Sequence, residues 1–351
     1  VQSENNKPVY LQSLADIEKL PGGPQEKLYS ADRAEILAGW TTDVYFLKTR
    51  EILRHLQLDR TPVVAEVFAG RPGVLAGVSE VKALLAHTGA EVWALPEGEE
   101  FAAREVIMRI SGPYDDFGLY ETALLGMLAS SSGWATAARQ CKQAAGNARV
   151  ICFGARHVHP AVAPVMERAA VIGGADGASC ILGARHLGLE PAGTVPHAVF
   201  LVVGDTVEVA RAYHAVMPAG TPLVVLVDTF KDEAEEALRV ASALPGLLQA
   251  IRLDTPGERG GVTPGLVREV RARLDQAGFG SVQILVSGGL TPERIAALRE
   301  AGAAAFGVGS YISGAPAIDM TMDLKVVNGK PVAKRGRIPG ITPTDRLVRL
   351  I

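Results

Sequence analysis

The second half of the chain repeats one pattern of apolar and polar positions. A run of apolar, largely β-branched residues ends in a turn, and a stretch with helical spacing follows. "RVICFGA" precedes residues 161–170, "HAVFLVVGD" precedes "TVEVARAYHAVM", and "PLVVLVD" precedes "DEAEEALRVASAL". "AIRLD" precedes "PGLVREVRARLDQAG" across a Gly/Pro loop, "SVQILVS" precedes "TPERIAALREAG", and "AAAFGVGS" closes the series. Strands that are apolar on both faces and alternate with helices predict a parallel sheet. At least six runs in succession favour a closed βα barrel over an open sheet. The helix after "SVQILVS" is well punctuated, with Thr291 as cap, Pro292 at its first position and Gly302 past its last turn.

The first part reads differently. "TPVVAEVFAG", "EVWALPEG" and "REVIMRISGPY" predict strands, with "VSEVKALLAHTG" helical between the first two. Residues 45–113 then form a mixed α/β layer, and the stretch from "DFGLYETALLGML" to "QCKQAAG" is a helix leading into the barrel. Asn328-Gly329 between short β-type runs is a hairpin signal. The expected class is therefore α/β. An N-terminal α/β domain over 1–125, completed by 320–351, packs on a barrel over 126–319 that carries the site.

Composition narrows the picture. At 351 residues, 48% hydrophobic and 21% charged, the chain can bury a large core. A net charge of -3, from 35 basic and 38 acidic side chains, argues against a nucleic-acid-binding face. Cys141, Cys152 and Cys180 have no CxxC spacing, so neither a disulfide framework nor a structural zinc is expected, and a reducing cytoplasm is the natural compartment. The N-terminal stretch "VQSENNKPVYLQSLADIEKL" lacks the pattern of a signal peptide. No apolar run approaches the ~18 residues of a spanning helix, so no membrane partner is expected.

In a parallel barrel the chemistry sits at the carboxyl ends of the strands. This chain places Arg156 and His157 after "VICFGA", Asp228 and Thr229 after "PLVVLV", and Arg252 and Asp254 at the end of "AIRLD". Ser287, Gly288 and Gly289 end "SVQILV", and Gly307, Gly309 and Ser310 end the last strand. One glycine turn after a strand is often only a tight turn. Two on consecutive strand ends fit a phosphate held on backbone N–H groups and a helix N-terminus. Arg156 and Arg252 read as anion clamps. Asp228 and Asp254 fit Mg²⁺ or sugar hydroxyls, although a lone strand-end Asp often only caps a helix. His55, His87, His186 and His214 lie in helical or connecting segments and read as structural. The residues alone thus predict a site for a monophosphate with further negative charge and Mg²⁺, without naming the reaction.

Taken together, the chain resembles the nicotinate phosphoribosyltransferase family over residues 29–340. The shared motifs are "TTDVYFLKT", "GVLAGVSEV", "LPEGEEF", "SGPYDDFGLYETALLGML", "FGARHVHP", "GTVPHAVFLVVGD", "LVDTF", "IRLDTPGERGG", "SGGL" and "FGVGS". The resemblance implies an N-terminal α/β domain against an irregular (β/α) TIM-like barrel, and an enzyme that transfers phosphoribose from 5-phosphoribosyl pyrophosphate to nicotinate, in NAD salvage. It implies Mg²⁺, ATP hydrolysis that can be coupled through a phosphohistidine, and a homodimer or assembly of dimers with shared sites. It places the sugar 5-phosphate at the two glycine turns, and the pyrophosphate and Mg²⁺ towards Arg156, Asp228 and Asp254. Tyr45 matches a tyrosine that stacks on the pyridine ring from the neighbouring subunit, and His197 matches the phosphorylated histidine. This chain departs from the pattern in three places. It has Arg156-His157 where many relatives have two arginines, Pro196 stands before His197, and no cysteine follows Cys180, so no zinc knuckle is expected. The alternatives are a transferase for nicotinamide or quinolinate and a non-catalytic phosphate-binding homologue.

Overall fold

A computed structural model describes residues 10–20 and 29–351. Residues 1–9, part of the segment read for a signal peptide, lie outside the described residues. The chain divides into two compact units, Val1–Gly133 with Pro316–Ile351, and Trp134–Ala315. The strands in chain order are β1 (Pro62–Ala69), β2 (Gly73–Val74), β3 (Glu91–Ala94), β4 (Glu100–Phe101) and β5 (Val106–Pro113). Then come β6 (Arg149–Cys152), β7 (Gly177–Ala178), β8 (Val224–Leu226), β9 (Ala250–Leu253), β10 (Gln283–Ser287) and β11 (Ala305–Val308). Last are β12 (Met320–Val327), β13 (Lys330–Pro331) and β14 (Val348–Arg349).

The first unit is built on an antiparallel sheet of order β13-β12-β1-β5-β3-β14. Alternate residues of β1, Val63, Ala65, Val67 and Ala69, are buried, as a two-residue period requires. The helix Val78–Leu85 buries Val78, Val81, Leu84 and Leu85, a stripe at helical spacing. The predicted hairpin is present. Asn328 and Gly329 both have positive φ between the paired Val327 and Lys330, the backbone that a tight two-residue turn demands. Buried Glu66 pairs with Arg109 at 2.7 Å and also accepts from the Thr342 N–H at 3.0 Å, which ties the C-terminal tail to this sheet.

The second unit is a parallel sheet of order β7-β6-β11-β10-β9-β8 with helices between the strands, an irregular TIM-like barrel. Among the described residues the ladder does not close between β7 and β8. Val150, Ile251, Ile284, Val286 and Phe306 from its strands fill one core with the helix residues around them.

One predicted strand is corrected. "HAVFLVVGD" is not a strand: His197–Val203 is a helix, ended by Gly204 at φ 88°. Pro196 occupies its N-cap, and Asp205 caps the next helix, Thr206–Val216, by accepting from the Glu208 N–H. A short apolar run between such signals is ambiguous by periodicity alone, and here the caps decide. The missing strand is β7, two small residues with no apolar run to announce them.

Candidate active site

The carboxyl ends of the strands of the second unit line an open cavity of about 510 Å³. Its wall holds Arg156, His157, His197, Arg252, Asp254, Ser287, Gly288, Gly289, Gly307, Gly309 and Ser310, together with Phe153, Ser179, Gly193, Thr194 and Pro196. Eleven of the residues singled out from the sequence are thus brought together. Asp228 and Thr229 do not line the cavity, and Tyr45 belongs to the other unit, on the helix Val44–His55.

Arg252 organises the wall. It leaves β9 and donates to Ser287 Oγ (2.8 Å), Thr194 Oγ1 (2.8 Å) and Asp254 Oδ2 (3.0 Å). Ser287 Oγ in turn donates to Asp254 Oδ1 at 2.9 Å, so the carboxylate is held on both oxygens. The guanidinium lies 5.3 Å from the centre of the Phe153 ring. Burial lowers the pKa of Arg252, and the Asp254 and Asp228 carboxylates oppose that shift. A fixed, partly desolvated cation of this kind binds an anion more strongly than one in open water.

Arg156 and His157 sit on the short turn Ala155–His157. The His157 ring lies between Arg156 (Nε to Nε2, 3.4 Å) and Ser313 (Oγ to Nδ1, 3.2 Å). His197 begins its helix directly after Pro196, and its Nε2 is 3.1 Å from Asp228 Oδ2. The Asp228 side chain is 1% exposed, and burial raises its pKa, an effect His197 partly offsets. Asp228 Oδ1 and Thr229 Oγ1 are buried and have no hydrogen-bond partner among the described residues. Asp228 therefore faces His197 rather than the cavity.

The two glycine turns have different causes. Gly288 and Gly289 have φ of 92° and 56°, the left-handed region that favours glycine. The Arg294 guanidinium donates to the carbonyls of Gly289 (2.6 Å), Gly288 (3.4 Å) and Val262 (3.1 Å). Because a peptide is planar and trans, drawing these carbonyls to one side turns the following N–H groups to the other. Gly307 and Gly309 need no unusual φ. A Cβ on Gly307 would lie 2.3 Å from the Phe153 ring, and one on Gly309 would lie 2.8 Å from His157 Cε1. The first turn is thus set by backbone conformation and the second by the rings packed against it.

Of the wall residues that sequence reasoning missed, Phe153 and Thr194 lie inside the quoted motifs "FGARHVHP" and "GTVPHAVFLVVGD". Ser179 follows β7, the strand without an apolar signature. Among the described residues, no group of three or more His, Cys, Asp and Glu side chains forms a metal cluster. Among the described residues, Asp254 is the carboxylate that lines the cavity. No helix among the described residues is long and apolar enough to cross a membrane.

The chain matches the family models for the N-terminal domain of quinolinate phosphoribosyl transferase over residues 43–132 and for its C-terminal domain over residues 134–323. It is 33% identical over 247 residues to nicotinate phosphoribosyltransferase pncB2 of Mycobacterium tuberculosis, covering 68% of this chain and 52% of that protein. The chain thus spans about half the length of its mycobacterial relatives. It is 28% identical over 275 residues to the carboxylating nicotinate-nucleotide pyrophosphorylase of Rattus norvegicus, covering 77% of this chain and 85% of that one. Among solved structures, nicotinate-nucleotide pyrophosphorylase from Pyrococcus furiosus superposes with a TM-score of 0.86 at 46% identity, over 90% of this chain and 82% of that one. The motifs resemble the nicotinate enzymes, whereas the domain models carry the quinolinate name; relatives bearing nicotinate in their names match as well.

Proposed function

Because the chain belongs to the quinolinate phosphoribosyl transferase family, we propose that it transfers phosphoribose from 5-phosphoribosyl pyrophosphate to a pyridine carboxylate in NAD biosynthesis. In this reading the acceptor is nicotinate, and the products are nicotinate mononucleotide and pyrophosphate. The observation that favours nicotinate is the inventory of cations on the cavity wall. Among the described residues the lining arginines are Arg156 and Arg252, no lysine lines the cavity, and Arg252 is already paired with Asp254. The donor brings a phosphate and a pyrophosphate, which these cations must serve first. An acceptor with two carboxylates would find little positive charge to spare. Quinolinate is the second reading, favoured by the names of the two domain models.

The transfer breaks the bond from C1 of the ribose to pyrophosphate and forms one from C1 to the pyridine nitrogen. Positive charge develops at C1 as negative charge moves onto the leaving group. Catalysis therefore rests on alignment and on stabilising the departing anion. The N–H groups beyond Gly288 and Gly289, and the start of the helix Pro292–Glu300, suit the 5-phosphate. Arg156 and Arg252 suit the pyrophosphate. Phe153 offers an aromatic surface to the pyridine ring.

Mg²⁺ is generally held by one or two carboxylates together with substrate phosphates. Asp254 fits that role and would hold the ion, whereas the enclosed Asp228 would not reach it. When bound, Mg²⁺ neutralises charge on the leaving pyrophosphate. Two further parts of the proposal rest on the motif resemblance: phosphorylation of His197 by ATP, and a homodimer in which Tyr45 of one copy covers the base bound to the other. The deciding experiment measures product formation from 5-phosphoribosyl pyrophosphate with nicotinate, nicotinamide and quinolinate in parallel, with and without ATP. Preferred turnover of quinolinate with release of CO₂ would overturn the choice of nicotinate. No turnover with any acceptor would overturn the enzyme.

A further inference from the structure

We propose that Glu167 is a positioning residue that sets Arg156 for the phosphoribosyl donor, an inference that rests on the reading of this cavity as the donor site. Glu167 lies on the helix Ala163–Ile172, behind the cavity wall, and is 0% exposed. Its Oε1 accepts from the Ala155 N–H at 3.2 Å and from Ser179 Oγ at 2.8 Å. Its Oε2 accepts from the Cys180 N–H at 2.6 Å. None of these donors is charged. A buried carboxylate without water has to be satisfied by such bonds, and breaking any one of them is costly.

The donors identify the function. Ala155 opens the turn that carries Arg156 and His157, and Ser179 is itself on the cavity wall. Cys180 is the N-cap residue of the next helix, Ile181–Arg185. One carboxylate therefore fixes the ends of two adjacent strands, β6 and β7, to a single point. The packing around it is close: a Cβ on Gly183 would lie 3.4 Å from Glu167 Cβ, and one on Gly154 would lie 2.7 Å from Met166 Cε. The turn has little room to find another position. Among the described residues Arg156 itself makes one long hydrogen bond, to His157, so its placement comes from the backbone beneath it.

Glu167→Gln keeps the shape but not the bonding. An amide has one accepting oxygen, so its NH₂ must face either the Ala155 N–H or the Cys180 N–H, a donor against a donor. One arm of the clamp opens. Glu236→Gln is the control, because Glu236 is equally buried but pairs with Arg239, and it is absent from the cavity wall. Three quantities are measured for each variant: Tm, amide exchange at Ala155 and Cys180, and the affinity for inorganic pyrophosphate by calorimetry. KM values follow where turnover is present.

In the expected result both variants lose Tm. Only Glu167→Gln speeds exchange at Ala155 or Cys180, and it weakens pyrophosphate binding by about tenfold or more. The KM for the donor rises by a similar factor while the KM for the pyridine stays near wild type. Unchanged pyrophosphate affinity alongside a Tm loss matching Glu236→Gln would make Glu167 a structural buttress and overturn the proposal, as would unchanged exchange at both amides. A wild-type protein that binds pyrophosphate but turns over no pyridine would sink the proposed reaction alone. The clamp would still be read by the same titration. A wild-type protein that binds no pyrophosphate would overturn both.

Discussion

Asp228 holds His197 by a 3.1 Å contact between Oδ2 and Nε2, from a carboxyl that is enclosed while the imidazole remains partly open to the cavity. The bond engages Nε2 and leaves Nδ1 as the nitrogen that can act as a nucleophile. If His197 accepts phosphate from ATP, His197→Ala abolishes nicotinate-dependent ATP hydrolysis and labelling of the protein. The variant keeps a slow, ATP-independent formation of nucleotide, because Arg156, Arg252 and Asp254 are untouched. Asp228→Asn should reduce labelling by roughly a hundredfold or more, since an amide orients the ring without the charge that favours the correct tautomer. Labelling with radioactive ATP reads both variants. A wild-type protein with neither label nor ATP stimulation would leave His197 as a pyrophosphate contact or a helix-start residue.

The Phe153 ring and Gly307 form a second coupled pair. A Cβ at Gly307 would lie 2.3 Å from that ring, which also underlies the Arg252 guanidinium. Gly307→Ala should therefore displace the ring, destabilise the protein by about 1–3 kcal/mol as overpacking does, and raise the KM for the donor through Arg252. Adding Phe153→Leu should recover part of the lost stability. Chemical denaturation of the two single variants and the double variant measures the coupling. Strict additivity would show that the ring moves aside without resistance.

Asp254 carries a prediction for the metal and one for assembly. Asp254→Asn should keep the fold, since the amide oxygen can still accept from Arg252 while the amide NH₂ donates to Ser287 Oγ, but lose most turnover at any Mg²⁺ concentration. Near wild-type kcat at saturating Mg²⁺ would remove the metal role. Tyr45 is largely exposed on its helix, as a residue reaching a neighbouring copy must be. Mixing Tyr45→Ala with Asp254→Asn protein should restore part of the activity, because one composite site in the mixed dimer is intact. Verified subunit exchange without restoration would count against a shared site.

The apolar runs were enough to find β6 and β8–β11, because a strand buried on both faces must be apolar throughout. They misread His197–Val203, where Pro196 and the Gly204-Asp205 pair outweigh a β-branched composition. Strand-end position located Arg156, Arg252 and Asp254, which the fold then gathers on one wall. It could not foresee that Asp228 turns to His197, which depends on a helix read as a strand. Nor could it give the reason for Gly307, which lies in a ring from a different strand end. Glu167 was invisible for the same reason: a charged residue inside an amphipathic helix looks solvent-facing until its partners are placed.

Glu121, the first residue of the helix Glu121–Ala145, links the first unit to pH. Burial, and secondarily the carboxylate of Asp323, raise its pKa from the ordinary 4.5 to about 7. Tyr114 nearby is pushed up to about 12, again by burial first and by Glu121 second. The sign for stability follows from proton counts. Below the unfolded value both states hold the proton, and Glu121 imposes no penalty. Between 4.5 and about 7 the unfolded chain has released the proton and the folded chain has not, so stability falls as pH rises. Above about 7 the folded state carries an enclosed charge, and the full penalty persists. Glu121→Gln removes that titration. Its Tm should exceed the wild-type Tm near about pH 8 and converge on it near about pH 4. Calorimetric scans of both proteins across this range provide the test. Parallel profiles, with a constant offset at every pH, would mean that Glu121 ionises in the folded unit as freely as in the unfolded chain.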